Sequence, residues 1–122
     1  MAKKIMIVDD EESLRELVIA IFTPEGYDVV AASSGQECLE MLKKEKPDLI
    51  LMDMMMPGMS GRETTEKIRA NPKTKDIKVA FLTVARFSET GKGTLDKLNC
   101  VEYITKPFDN EELVGKVKKI IG

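Results

Sequence analysis

Five short runs in this chain are almost purely apolar: Ile5–Val8, Val29–Ala32, Leu49–Met52, Val79–Leu82 and, more weakly, Val101–Ile104. A run of this length without polar alternation reads as a strand covered on both faces. Amphipathic stretches separate them. Leu14, Leu17, Val18, Ile21 and Phe22 fall at helical spacing, with Gly26 as a stop. Ser34 to Glu37 is a capping-box pattern ahead of Cys38, Leu39 and Leu42. Ser60 to Glu63 repeats it ahead of Ile68, and Asn71-Pro72 closes that element. Asp109 to Glu112 opens a last helix whose Leu113, Val114, Val117, Ile120 and Ile121 form one stripe. Residues 87–98 are the weak segment: Gly91 and Gly93 each cost a helix about 1 kcal/mol, so a short or late helix, from Thr94 after a long loop, is expected. Five buried strands alternating with helices predict an α/β fold, a doubly wound, five-stranded parallel sheet with helices on both faces. Ligands of such sheets lie outside the carboxyl ends of the strands.

The chain has 122 residues, enough for one domain (1–122) with its own core. Nineteen Lys and Arg against 21 Asp and Glu give a net charge of −2, which argues against non-specific binding to nucleic acid or anionic membrane. No apolar run approaches the roughly 20 residues of a membrane span, and the basic start at Lys3-Lys4 is followed by too short an apolar stretch for a signal peptide. Cys38 and Cys100 match neither a disulfide framework nor a zinc pattern, so a reducing cytoplasm is the expected compartment. Histidine is absent, which excludes a histidine base, a histidine ligand and an internal phosphohistidine.

The strand ends carry the chemistry. The first run ends in Asp9-Asp10, followed by Glu11-Glu12. The third ends in Asp53, the fourth in Thr83, and the fifth leads into Lys106-Pro107. If the first and third strands are neighbours, about 4.8 Å apart, Asp10 and Asp53 come within side-chain reach. Two carboxylates about 4 Å apart repel by about 4 kcal/mol at an effective dielectric near 20. Either their pKa values rise, or a lysine and a hard divalent cation offset them; Mg²⁺ suits carboxylates that leave room for water and phosphate. Taken singly, an acid pair before a helix is a dipole partner, an Asp a cap, a Thr a strand former and a Lys a solvated group. Four strands of five delivering such groups to one edge is what favours a site.

The sequence resembles a response regulator receiver domain over essentially its whole length. The matching pieces are Ile5 to Glu11, Asp48 to Gly61, Phe81-Leu82-Thr83, and Tyr103 to Phe108, in order. The resemblance implies a (βα)5, flavodoxin-like sheet with strand order 2-1-3-4-5. It implies Asp53 as phosphoryl acceptor; Asp10, Asp53 and the Met55 carbonyl as direct Mg²⁺ ligands; and Asp9 as a ligand through water. Lys106 would pair with phosphoryl oxygens, Thr83 would move to bond them, and Tyr103 would turn inward in response. Lys106-Pro107 would be cis, and Pro57, Gly58 and Gly61 would shape the turn after Asp53. The implied function is a phosphorylation-activated signalling module of a two-component or phosphorelay system, not a metabolic enzyme. Its donor would be a sensor histidine kinase or histidine phosphotransfer protein, and its output a downstream protein target, from a cytoplasmic monomer, with pairing on phosphorylation left open. Both a stand-alone messenger and a receiver trimmed from a longer regulator fit that reading.

Several features stand apart from the family pattern. Asn99-Cys100 replaces the common Gly-Ala; Asn tolerates the left-handed conformation, and Cys100 then reads as a packed residue. Residues 86–98 match poorly, which leaves partner choice open. Gly91-Lys92-Gly93-Thr94 lacks the order of a phosphate-binding loop. Met52 and Met54 read as packing, while Met55 would line the mouth of the site and tune the acyl-phosphate lifetime. An aspartate-nucleophile phosphohydrolase would carry a second acid where Met55 stands; an FMN carrier would need a hydroxyl- and Gly-rich loop after the first strand; a phosphate-independent scaffold would have lost an acid or the lysine. Val84 follows Thr83 where the family has Ala or Gly, so Val84→Ala is expected to lose its phosphoryl group faster than the parent; equal dephosphorylation rates would remove that role.

Overall fold

The computed structural model describes residues 2–83 and 98–122. The elements are β1 (Lys4–Val8), α1 (Glu12–Phe22), a 3₁₀ turn (Thr23–Glu25), β2 (Asp28–Ala32), α2 (Gly35–Met41), β3 (Leu49–Asp53), α3 (Gly61–Ala70), β4 (Lys78–Thr83), β5 (Glu102–Thr105) and α4 (Asn110–Ile121). Val84, Arg86 and the Gly-containing stretch read as a late helix lie outside the described residues, apart from Leu98. All strand pairs are parallel, in the order β2-β1-β3-β4-β5. The five-stranded, doubly wound fold is as the sequence implies.

Period-two alternation divides each strand between two cores. Ile5, Ile7, Leu49, Leu51, Ala80, Leu82 and Ile104 pack with Val18 and Phe22 of α1 and with Leu113 and Val117 of α4. Met6, Val8, Ile50, Met52, Val79 and Phe81 face the other way, onto Cys38 of α2 and Ile68 of α3. Both faces are covered, so charged residues such as Lys4, Asp28 and Lys78 stand only at the amino ends of the strands, and the next polar groups come at their carboxyl ends.

The local signals act where the sequence places them, with small displacements. Ser60 and Glu63 form a complete reciprocal capping box on α3, and Asn71 leaves the helix in an extended conformation ahead of Pro72. Ser34 accepts from the Glu37 N–H at 3.0 Å, but the Glu37 carboxylate takes the N–H of Ser33, one residue earlier than a strict box. On α4, Asp109 caps Glu111 instead of Glu112. Gly26 ends the 3₁₀ turn at φ +92°. The fifth strand begins at Glu102, because Val101 is still leaving the Asn99 turn (φ +57°) and is exposed. Leu17, read as part of the buried face of α1, is exposed too; only Val18 and Phe22 are fully covered on that helix.

Phe22 is fully buried and meets the Tyr27 ring edge-on at 5.6 Å. Phe22→Ala is expected to lower the unfolding free energy by about 3–5 kcal/mol in urea titrations. Leu17→Ala, on the same helix, is expected to cost less than about 1 kcal/mol.

Candidate functional site

The carboxyl ends of β1, β3 and β4 and the start of the β5–α4 connection converge at one edge of the sheet. Asp9 follows β1 directly and is fully buried. Its N–H donates to the Ala32 carbonyl, which fixes its backbone to β2. Its Oδ1 accepts the Glu11 N–H at 2.9 Å and its Oδ2 accepts Lys106 Nζ at 2.7 Å. Asp10, next along, is exposed. Asp53 is the last residue of β3 and is 5% exposed; its Oδ1 accepts the Met55 N–H at 3.2 Å and lies 3.5 Å from Lys106 Nζ. Asp9, Asp10 and Asp53 each present an oxygen within 4.8 Å of the other two.

Lys106 reaches this edge from the far side of the sheet. Its N–H donates to the Thr83 carbonyl at 2.6 Å, and the Lys106-Pro107 bond is cis. Thr83 is buried at the end of β4, one residue beyond the Asp53–Leu82 register and opposite Thr105. Tyr103 is half-buried, opposite Phe81, and packs on the α2–α3 side of the sheet. Met55 is 73% exposed beside Asp53, while Met52 is fully buried and Met54 packs against the same core. Cys100 is packed and donates to the Glu102 carbonyl, its thiol pKa raised chiefly by burial. Among the described residues, the edge thus brings together the polar groups that the strand ends supply in sequence.

The turn after Asp53 is held by close approach. Gly61 N–H donates to the Met54 carbonyl, and a Cβ at position 61 would sit 2.0 Å from the Asp53 carbonyl oxygen. Only glycine lets α3 begin this close to β3. Pro57 and Gly58 (φ +76°) make the exposed outer part of the turn. The sequence reading missed one participant: Arg15 of α1 donates from Nη1 to the Asp9 carbonyl at 2.8 Å. Only its position about one and a half turns beyond the acid pair hints at this, and such a residue reads equally well as solvated.

Burial pushes the Asp53 carboxyl up to about 6; the charge of Asp9 adds to the rise, while Lys106 and the Met55 N–H oppose it. Burial works to lower the Lys106 pKa, but the hydrogen bond to Asp9 and the charges of Asp9, Asp53 and Glu11 outweigh it and hold the ammonium above its ordinary value. Three carboxylates and one ammonium leave a formal charge of −2. Hard oxygen donors with that residual charge, one of them exposed, fit a divalent cation such as Mg²⁺.

Residues 5–118 match the sequence model of the response regulator receiver domain. The fold is similar to that of the chemotaxis protein CheY4 of Vibrio cholerae, with a TM-score of 0.92 at 28% identity over 99% of this chain and 100% of that one. It is also similar to a CheY-like receiver domain protein of Methanospirillum hungatei (TM-score 0.86, 36% identity, 98% and 94% of the two chains). A third similar structure is the response regulator TrrA of Thermotoga maritima, solved in complex with Mg²⁺-BeF (TM-score 0.82, 37% identity, 98% and 99%).

A carboxyl whose pKa is raised by folding stabilises the fold while protonated: for Asp53 that contribution is complete below about pH 4 and is lost as pH rises through about 6. Without divalent cations, Asp53→Asn is therefore expected to be more stable than the parent at pH 8, by on the order of 1–3 kcal/mol, with the difference shrinking towards pH 4. Urea titrations at the two pH values measure it, and identical stabilities at pH 8 would show that no electrostatic strain is stored at position 53.

Proposed function

The chain belongs to the response regulator receiver domain family, and from that premise we propose that Asp53 accepts the phosphoryl group. The observation that carries this reading is the pairing of a nearly buried carboxylate with an ammonium 3.5 Å away, inside a cluster of three acids. The family supports a phosphohistidine donor, of a sensor histidine kinase or histidine phosphotransfer protein, and it must come from another protein, since this chain has no histidine.

An Asp53 carboxylate oxygen attacks phosphorus while the phosphorus–nitrogen bond of the donor breaks. The imidazole nitrogen leaves with the electron pair and is neutralised by a proton as needed, and Asp53 becomes an acyl phosphate. A raised pKa of about 6 still leaves most of Asp53 ionised at neutral pH, so the nucleophile is present. Lys106 places its charge against the arriving phosphoryl oxygens, and Asp9 holds Lys106 in that position. The Thr83 hydroxyl donates to a phosphoryl oxygen, a contact available only in the phosphorylated state, and Tyr103 follows it inward. Asp10, Asp53 and the Met55 carbonyl would hold Mg²⁺ directly and Asp9 through water; the bound ion would offset charge on the transferring group. Water attack on phosphorus later returns Asp53 and inorganic phosphate, at a rate that the Met55 side chain tunes. The module works as a single domain and a cytoplasmic monomer, acting through a downstream protein target without direct nucleic acid binding. No helix among the described residues is long and apolar enough to cross a membrane.

Incubation with a small-molecule acyl phosphate and Mg²⁺, followed by intact mass, is expected to show one added phosphoryl group on the parent and none on Asp53→Asn. Chelation of the divalent ion is expected to slow the gain by at least about tenfold, since charge neutralisation dominates this chemistry. A parent that never gains mass, or an Asp53→Asn variant that gains it as the parent does, would overturn the assignment.

A further inference from the structure

The end of the sheet opposite the acid cluster has the reverse character. Two connectors meet there: residues 43–48 between α2 and β3, and residues 71–77 between α3 and β4. Together with the last turns of α2 and α3 they enclose a groove of about 750 Å³. Its apolar lining is Leu39, Leu42 and Ile77, all of which belong to the core on that face or pack against it. Its rim carries Lys43, Lys46, Lys67 and Lys73, all exposed, and a single acid, Glu45, which is already paired with Lys4. Lys43 lies 3.2 Å from Glu40; Lys46, Lys67 and Lys73 make no ion pair among the described residues. The chain as a whole is acidic, so this positive surplus is local.

We propose that this groove docks an acidic amphipathic helix of a partner protein, apolar face inward and carboxylates towards the lysine rim. Lysines near a helix C-terminus ordinarily complement its dipole, yet here they surround a recess floored by buried Leu42 and half-buried Leu39 and Ile77. That recess decides the class of partner. No aromatic side chain lines the groove, so it offers no stacking platform for single-stranded nucleic acid. The apolar groups lie below the charged rim, where the flat surface of a bilayer does not reach them. A helix bearing Leu at intervals of three and four residues, with Glu beside them, matches both the floor and the rim. Hydrogen bonds within the chain hold the groove walls: Thr74 donates to the Ile68 carbonyl at 2.7 Å and Asn71 accepts the Lys73 N–H at 2.9 Å. Asp53 takes no part in the groove, so this surface stands apart from the phosphoryl-acceptor reading.

The test is a titration of the ¹⁵N-labelled chain with a synthetic capped peptide that carries Leu at helical spacing on one face and Glu on the others. Saturable amide shifts are expected over residues 39–46 and 67–77, in the parent and in Asp53→Asn alike. Lys46→Glu combined with Lys67→Glu, both at exposed positions, is expected to weaken binding by about tenfold or more with an unchanged far-UV spectrum. Raising the salt from about 0.1 M to about 1 M, which shortens the screening length from about 10 to about 3 Å, is expected to weaken it as well. Ala in place of Leu in the peptide is expected to abolish the shifts. No shifts in the groove, equal binding of a peptide with Lys in place of Glu, or groove shifts produced instead by an oligonucleotide or by phosphatidylserine vesicles would each overturn the proposal.

Discussion

Everything at the acidic edge depends on the Lys106 ammonium sitting between two buried carboxylates. Asp9 is fully covered and Asp53 nearly so. Unopposed, two such charges would repel by several kcal/mol, more than a small domain spares for one contact. Nζ lies 2.7 Å from Asp9 and 3.5 Å from Asp53, so the attraction offsets the repulsion where it is largest. The same contact ties the end of β5 to the ends of β1 and β3, across the intervening β4. The electrostatic balance is therefore also a geometric clamp on the sheet.

The clamp works because what lies beneath it does not yield. Two fully buried layers of Ile, Leu, Val and Met hold the strands in register, and packed interiors respond to a displaced atom by straining, not by flowing. Helix α3 is fixed at both ends. Gly61 abuts the Asp53 carbonyl at its start. Near its other end, Arg69 donates to the carbonyls of Lys75, Ile77, Leu98 and Asn99. Burial lowers the Arg69 pKa, but four carbonyl acceptors satisfy a guanidinium that would otherwise be expensive to cover. A change at the Asp53 turn thus meets an element anchored to the residues leading into β4 and to the turn before β5.

Much of this was legible in the residue pattern for a physical reason. Strands buried on both faces must be apolar throughout, so the five runs announce themselves, and any polar group at the end of one stands out. Asp9, Asp10, Asp53, Thr83 and Lys106 were visible on that ground alone. Asn99 at φ +57° was legible because few residues tolerate that conformation. Leu17 was misread because helical spacing predicts a stripe but not its width. The start of β5 was misplaced because an edge strand lacks a second partner to fix where pairing begins. Arg15 and Arg69 were invisible because both bind backbone carbonyls, and a carbonyl leaves no mark in the sequence. The groove between α2 and α3 was hidden for a related reason: its lysines come from α3 and from two separate connectors that only the fold brings together.

The three acids are not equivalent, and their differences bear on the acceptor role proposed for Asp53. Asp9 has both carboxylate oxygens engaged, by Glu11 and by Lys106, and is closed to solvent. It is suited to holding a partner and poorly suited to attack. Asp10 is exposed, so its carboxylate keeps its hydration and no fixed cation stands against it among the described residues. Asp53 directs one oxygen, Oδ1, at both the Met55 N–H and Lys106, while Oδ2 accepts no hydrogen bond among the described residues. Desolvation raises the basicity of this carboxylate, and with it the tendency of its lone pair to form a bond. A neighbouring ammonium stands ready for the charge that a phosphoryl group brings. A desolvated carboxylate beside an ammonium is what supports the proposed role of Asp53 as the oxygen nucleophile.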